Sequence, residues 1–212
     1  TWNDNGNNSK AMLRKYSSSG GLIWDEIYSS SVTNEINSMI ETSYGDFILA
    51  GYTGTQHGDY EALLIKTDSD GQQIWKKNIN SIGSTELYAV CESPNGGYIG
   101  AGYCNSWRSN YLVERNASGN GMWNDCHIVE PSVSGYYDIT PSSNGGYYLI
   151  DDNSILTWVN AQGQIIFSQD IEYANMSIME LGDGDIVVGG YGFIDGNSGG
   201  TPALMRLSFS DQ

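Results

Sequence analysis

Apolar positions along this chain come in short runs, separated by polar turns rich in Gly, Asn, Asp and Ser. The runs Met12–Tyr16, Leu63–Thr67, Tyr111–Arg115, Ile155–Val159 and Leu204–Ser208 each lead into such a turn. A second run follows, built around Trp or Phe, and then a looser loop leads to a third, such as Glu86–Cys91 or Met176–Met179. A tight turn and a fourth run complete the unit. Runs of this length, rich in β-branched and aromatic residues and bounded by turn formers, are read as strands. No stretch of helical length carries apolar positions at i, i+3, i+4 and i+7, so helix is expected to be nearly absent.

The third and fourth runs meet at Tyr44-Gly45-Asp46, Asn95-Gly96-Gly97, Asn144-Gly145-Gly146 and Asp183-Gly184-Asp185. Asn-Gly and Asp-Gly supply the positive φ angles of a tight hairpin whose twist matches its strands. A Gly-x-x-x-Trp marker fixes the period: Gly20-Gly-Leu-Ile-Trp24, Gly71-Gln-Gln-Ile-Trp75, Gly119-Asn-Gly-Met-Trp123 and Gly163-Gln-Ile-Ile-Phe167. The steps are 51, 48 and 44 residues, and Asp211 holds the same place 48 further on. Four strands per period of about 45 to 50 residues, joined by short turns, make the blade of a β-propeller. Small residues before a Tyr in the fourth run (Leu49-Ala-Gly-Tyr52, Gly100-Ala-Gly-Tyr103, Val188-Gly-Gly-Tyr191) let backbones approach where wedge-shaped blades crowd. The third repeat carries Leu149-Ile-Asp-Asp152 instead and is expected to pack differently there.

The expected fold is all-β: a propeller of four-stranded antiparallel blades, with four repeats plus one extra strand. The repeats span approximately residues 10–60, 61–110, 111–154 and 155–202, with a partial unit at 203–212. Trp24, Trp75, Trp123 and Phe167 hold one repeated position and are expected to fill the gap between blades. The chain opens and stops inside repeats, and its first residue is Thr1. The expectation is therefore a segment of a larger ring, or a ring completed by a protein partner or a missing chain segment. Either would cover an otherwise unpaired strand edge.

The stretch Asn-Gly-Gly-Tyr-Ile-x-Ala-Gly-Tyr (Asn95 to Tyr103), with Leu-Ile-Lys-Thr-Asp-Ser-Asp-Gly-x-x-x-Trp (Leu64 to Trp75), resembles the repeats of bacterial and archaeal cell-surface and secreted propellers. The Gly-x-x-x-Trp part is also similar to the docking motif of quinoprotein propellers, in which the Trp packs one blade onto the next. The resemblance implies propeller packing and a secreted or cell-surface setting. It carries over no catalytic residue, and no residues match the quinone contacts of those enzymes.

With 25 acidic residues against 9 basic, the formal charge is −16. Nucleic acids and anionic membranes need clustered Lys and Arg, so neither is an expected partner. No apolar stretch approaches the roughly 20 residues of a membrane span. Three cysteines, Cys91, Cys104 and Cys126, leave at least one unpaired. Counting back from the Asn-Gly-Gly turn sets Cys91 opposite Ile99 and Cys104 opposite Glu86, which argues against a bond between them. Cys104 with Cys126 is the alternative to free buried thiols.

The candidate chemistry is sparse. Gly196-Asn-Ser-Gly-Gly200 resembles the nucleophile motif of chymotrypsin-like proteases, but departs at Asn197 and lacks partners for a triad. Asp68 and Asp70 match the start of a calcium loop, although Asn116 and Asn160 hold the place of Asp68 in other repeats and a turn favours these residues anyway. No metal or other cofactor is expected. Trp2, His57, Trp107, Arg108 and Asn110 are the candidate ligand-binding residues: aromatics beside amides and a guanidinium in polar loops, suited to stacking on a sugar. The competing reading folds Trp107 back over its own blade. Asp138, Asp151 and Asp152 of the divergent repeat are the only carboxylates suited to glycoside cleavage, which needs two of them about 5 to 9.5 Å apart. Asn7, Asn116 and Asn175 head glycosylation triplets. The leading expectation is a non-catalytic structural or protein-interaction module, with a lectin-like propeller as the alternative and a glycoside-cleaving enzyme behind both.

Overall fold

The computed structural model describes residues 2–3, 9–28, 33–54, 59–79, 83–104, 109–123, 127–128, 134–171, 176–192 and 201–208. These residues form eighteen strands in five antiparallel sheets. The first sheet holds β1 (Trp2–Asn3), β2 (Ser9–Tyr16) and β3 (Leu22–Tyr28). The second holds β4 (Asn34–Glu41), β5 (Phe47–Gly54), β6 (Tyr60–Thr67) and β7 (Gln73–Ile79). The third holds β8 (Thr85–Ser93), β9 (Gly97–Cys104), β10 (Ser109–Arg115) and β11 (His127–Ile128). The fourth holds β12 (Tyr136–Pro141), β13 (Tyr147–Asp151), β14 (Ile155–Val159) and β15 (Ile165–Asp170). The fifth holds β16 (Ser177–Glu180), β17 (Ile186–Gly192) and β18 (Thr201–Leu207).

Each sheet is a meander in which every strand pairs with its neighbour in sequence. The sheets run half a period out of step with the sequence repeats. The two runs joined by Tyr44-Gly45-Asp46 are the first and second strands of the sheet that β6 and β7 complete, not the third and fourth of the one before. Strand order inside a meander is invisible to local pattern, because both phases present the same hairpins. The count of seventeen strands rises to eighteen through the two-residue β1, which pairs Trp2 with Lys10 and Asn3 with Ser9. In the third sheet the Trp run is not a strand: Met122 N–H donates to Glu114 O at 3.1 Å, and among the described residues the outer strand is His127–Ile128.

Packing explains why the middle runs are apolar without alternation. In β6, Ala62 and Leu64 join a cluster with Leu87, Val90, Tyr98, Tyr111 and Val113 of the third sheet. The intervening Leu63 and Ile65 join Ala11, Leu13 and Tyr28 of the first. Successive side chains of a strand point to opposite faces, so a sheet sandwiched between two others buries both sets. The same alternation links the third sheet to the fourth and the fourth to the fifth. Face-to-face four-stranded antiparallel sheets in sequence order are the blades of a β-propeller.

The Gly-x-x-x-Trp marker works across this packing. The Trp24 ring lies on Gly71 of the next sheet, where an added Cβ would meet its edge at 2.7 Å. Trp75 sits likewise on Gly119, where a Cβ would meet it at 3.1 Å, and its Nε1–H donates to Ala117 O at 3.0 Å. Both glycines also hold positive φ, +82° and +78°, which L side chains adopt only under strain. Trp24 further meets Phe47 edge-on at 6.3 Å, and Trp75 lies 6.1 Å from Tyr98. Trp123 and Phe167 are partly buried against the third–fourth and fourth–fifth clusters. The glycine's repeat position is thus a seat for the preceding blade's aromatic.

Carboxylates staple neighbouring hairpins. Ser43 N–H and Oγ–H donate to Glu92 at 3.0–3.1 Å, and Ser143 does the same to Glu180 at 2.6 and 2.8 Å. Between the third and fourth sheets the corresponding residues are Pro94 and Pro141, so donor and acceptor vanish together.

A comparison of two glycines tests the seat. Gly71→Ala is expected to cost about 3 kcal/mol, from a strained φ and the overlap with Trp24. Gly45→Ala shares the strain, φ +82°, but meets nothing within 4 Å and is expected to cost about 1 kcal/mol. Urea midpoints for the two variants measure the difference.

Candidate functional site

One end of each blade carries the tight hairpins; the opposite end carries the connections between second and third strands and between sheets. That opposite end gathers the polar aromatic chemistry. Its frame is a bulge near the start of each of three inner strands, between Ile36 and Ser38, Leu87 and Ala89, and Tyr136 and Asp138. A bulge leaves one residue unpaired and re-aims its side chain, here Asn37, Tyr88 and Tyr137. Opposite two of the bulges stand Gly51 and Gly102, whose Cβ would collide with the backbones of Glu35 and Glu86. The small residues of the Ala-Gly-Tyr runs therefore serve the bulge within the sheet as well as close packing between sheets.

The bulges place tyrosines around two carboxylates. Tyr103 Oη–H donates to Glu86 Oε1 at 2.8 Å, and Tyr52 hydrogen-bonds Glu35 in the preceding blade. Ser9 Oγ–H donates to Glu35 Oε1 at 3.0 Å, tying the first sheet to the second. Tyr88 stacks on Tyr137 of the next blade at 5.4 Å and 26°, and lies 5.7 Å from Tyr103. Tyr60 meets Tyr52 edge-on at 4.8 Å. Tyr137 is 38% exposed and Tyr60 37%, while Tyr52, Tyr88 and Tyr103 are half-buried. The fourth sheet breaks the pattern: Gly135 and Asp152 take the places of the Glu–Tyr pair.

Burial and the adjacent carboxylates hold these phenols protonated. Burial, then the charge of Glu86, pushes Tyr88 up to about 12. Tyr52 and Tyr103 are raised further, by burial first and then by donating to Glu35 and Glu86. All three are held protonated at neutral pH, and Tyr103 donates to Glu86.

Of the residues singled out from sequence, Asn110 is buried. Its Nδ2–H donates to Asp151 Oδ2 at 3.4 Å, and its Oδ1 accepts from Ser134 Oγ at 3.3 Å. Trp2 lies on β1, at this same end; nothing is described of its side chain. His57, Trp107, Arg108, Cys126 and the stretch Gly196–Gly200 lie outside the described residues. Asp138 bridges the fourth and fifth sheets, accepting from Ser177 Oγ–H and Ile178 N–H at 2.8 Å each. Asp151 is fully buried and accepts the N–H groups of Asn153 and Ile155 at 2.9 Å, shaping the turn to β14. Asp68 Oδ1 accepts the N–H groups of Asp70 and Gln72 at 2.9 and 2.8 Å. Asn116 and Asn160 make the same two bonds in their turns, so the geometry of this turn is set without an ion. Among the described residues no group of three His, Cys, Asp or Glu side chains is placed to hold a metal.

Cys91 faces Ile99 across the hairpin, as counted from the turn, but Cys104 faces Thr85 rather than Glu86. The bulge at Tyr88 shifts the register by one residue. Both thiols are buried.

The sequence matches no protein-family model and no curated protein. Solved structures similar in fold include a protein of unknown function from Bacteroides caccae, at 17% identity over 86% of this chain and a TM-score of 0.54. The chain spans 65% of that protein's length. BamB from Moraxella catarrhalis (12% identity, 85% of this chain and 78% of that one) and Sqt1 from Chaetomium thermophilum (11%, 94% and 64%) superpose more loosely, with TM-scores of 0.34 and 0.39.

Two measurements follow from the site's chemistry. Tyr28 and Tyr88 have folded values raised to about 12 from 10.0, so the unfolded chain loses those protons first as pH climbs. Their contribution to stability is complete below pH 10 and falls away from there toward 12. Absorbance at 295 nm is expected to show tyrosinate appearing together with loss of β-structure, not as an independent titration near pH 10. Burial also raises the Cys91 thiol well above its ordinary range. Peptide-resolved alkylation at pH 8 is expected to leave Cys91 unmodified until denaturant is added.

Proposed function

We propose that this chain is a non-catalytic propeller, secreted or displayed on a cell surface, that holds a protein partner at the loop end of its blades. The observation that carries this reading is the tyrosine–carboxylate cluster of Tyr52, Tyr60, Tyr88, Tyr103 and Tyr137 around Glu35 and Glu86. Its rings are locked by stacking and by hydrogen bonds to carboxylates, so little side-chain freedom is lost on binding. Pre-organised, partly exposed tyrosines are typical anchors of protein interfaces. The carboxylates and the overall charge of −16 favour a partner that is basic around an apolar centre. The extracellular setting is supported by the resemblance of Asn95–Tyr103 to surface-propeller repeats.

Two of the three carboxylates considered for hydrolysis have structural duties: Asp138 joins two sheets and Asp151 shapes a turn. Carbohydrate binding is the second reading, favoured by the Tyr88–Tyr137 stack, whose exposed ring offers a face for a sugar. Asn110, considered from sequence for this role, is buried instead and positions Ser134 and Asp151. No calcium is needed in either reading, and thermal stability is expected not to change with calcium or chelator.

The test uses wild-type protein and a Tyr88→Ala/Tyr137→Ala variant, each immobilised and presented with extracellular proteins of the source organism and with a glycan array. The expected result is a salt-sensitive protein ligand whose affinity falls about 30-fold or more in the variant. Binding confined to glycans would replace the first reading with the second. Glycoside turnover by the wild type would remove both.

A further inference from the structure

The outward face of the fifth sheet carries the same side chains that the other sheets bury against their successors. Hydrogen-bond register makes the equivalence residue by residue. Leu64 pairs with Ala50, Leu112 with Ala101, Leu156 with Ile150 and Leu204 with Gly189. Leu13 holds the same place in β2, seven residues before its turn glycine, as Leu64 does before Gly71. Leu13 is 5% exposed and Leu64, Leu112 and Leu156 are fully buried, whereas Leu204 is 79% exposed. Around it, Met179 stands where Ile40 and Cys91 pack in other sheets, and Val187 stands where Ile48 and Ile99 are buried. Even the polar fixture recurs: Arg206 bonds Asp185 as Lys66 bonds Asp46. In the second sheet that lysine is covered by the Tyr98 ring of the next blade, 5.5 Å away. Contiguous exposed apolar side chains of this kind mark an interaction surface.

At the other end, the first sheet presents the complementary kind of face. Met12, Arg14 and Tyr16 occupy the places of Leu63, Ile65 and Thr67, which are all buried against the preceding sheet. Ile27 and Tyr16 are half exposed, and Arg14 pairs with Asp25 at 3.6 Å. Charge distinguishes the two faces. Lys10 and Arg14, two of the nine basic residues of the chain, stand on β2 on the same side as Met12 and Tyr16. The fifth sheet sets Asp183 and Asp185 against the single Arg206.

We propose that the fifth sheet docks on the first sheet of a second copy of this chain, head to tail, continuing the blade packing across the junction. The proposal rests on the blade equivalence and is independent of what the loop end binds. Contact between two different faces is heterologous, so copies add in one direction until a ring closes or a filament grows.

Sedimentation velocity on the 212-residue protein, from low micromolar to several hundred micromolar, tests the proposal. The expected result is concentration-dependent association that Leu204→Asp weakens by roughly 30-fold or more. Tyr44→Asp, an equally exposed site away from both faces, is expected to leave it unchanged. Circular dichroism checks that both variants keep the wild-type fold. A mixture of Leu204→Cys and Met12→Cys proteins, oxidised with diamide, is expected to give a disulfide between copies, since the equivalent Leu64 and Tyr111 share one cluster. A monomer at every concentration overturns the proposal and leaves the face to another occupant, such as a further sheet of a longer chain. Association that ignores Leu204→Asp overturns it equally.

Discussion

The fold depends on one contact: an indole ring laid on a glycine of the next sheet. Trp24 on Gly71 and Trp75 on Gly119 set how closely two sheets approach at their hairpin end. The glycine is needed twice, once for its positive φ and once for the space its missing Cβ leaves. Because the seat is a backbone feature of the following turn, the contact fixes the position of a whole sheet, not of a single side chain. Once the sheets are placed, the apolar runs of the middle strands bury both faces, and the serine–glutamate staples close the hairpin end. The last marker changes at both positions, with Phe167 for Trp and Asp211 for the seating glycine.

Features encoded locally could be read from the sequence. The hairpins needed only a turn glycine, after Asn or Asp in three cases and after Tyr44 in the first, and Gly45, Gly96, Gly145 and Gly184 all take positive φ there. The strands needed only composition, and the Trp role needed only its period. Features set by pairing across strands were less visible. The phase of the blade was hidden because a meander looks the same whichever hairpin is counted first. The bulges were hidden because their residues, Asn37, Tyr88 and Tyr137, are not marked by one residue type. For two of them the signal sits on the opposite strand, in Gly51 and Gly102, where side-chain collision with Glu35 and Glu86 excludes anything larger. One unseen bulge moves every later register by one, which is why Cys104 faces Thr85.

The candidate site follows the same division. The sequence pointed to polar aromatic loops, of which His57, Trp107 and Arg108 lie outside the described residues; the tyrosine–carboxylate cluster was not visible, since its members come from three sheets. Tyr88 and Tyr137 lie 49 positions apart in sequence and meet only because adjacent bulges aim them together. Asn110 looked like a loop amide; register places it at the start of β10, where pairing with Tyr103 draws it inside. Among the acidic residues, several are tied to blade geometry: Glu92, Glu180 and Asp138 each accept hydrogen bonds from a neighbouring sheet. Where the Pro94–Pro141 pair replaces the staple, the Ser93 hydroxyl is engaged inside the third–fourth interface instead, donating to Glu114 and accepting from Tyr147.

The central claim, that tryptophan and glycine act as one unit across the blade junction, is tested most directly by a double-mutant cycle on Trp75→Leu and Gly119→Ala with urea unfolding. If the ring and the seat are coupled, adding the methyl group is harmful beside Trp75 and much less so beside Leu, with a coupling of about 1–2 kcal/mol. Additive effects, within about 0.5 kcal/mol, would contradict the account and reduce the glycine to a turn residue that happens to lie under the ring.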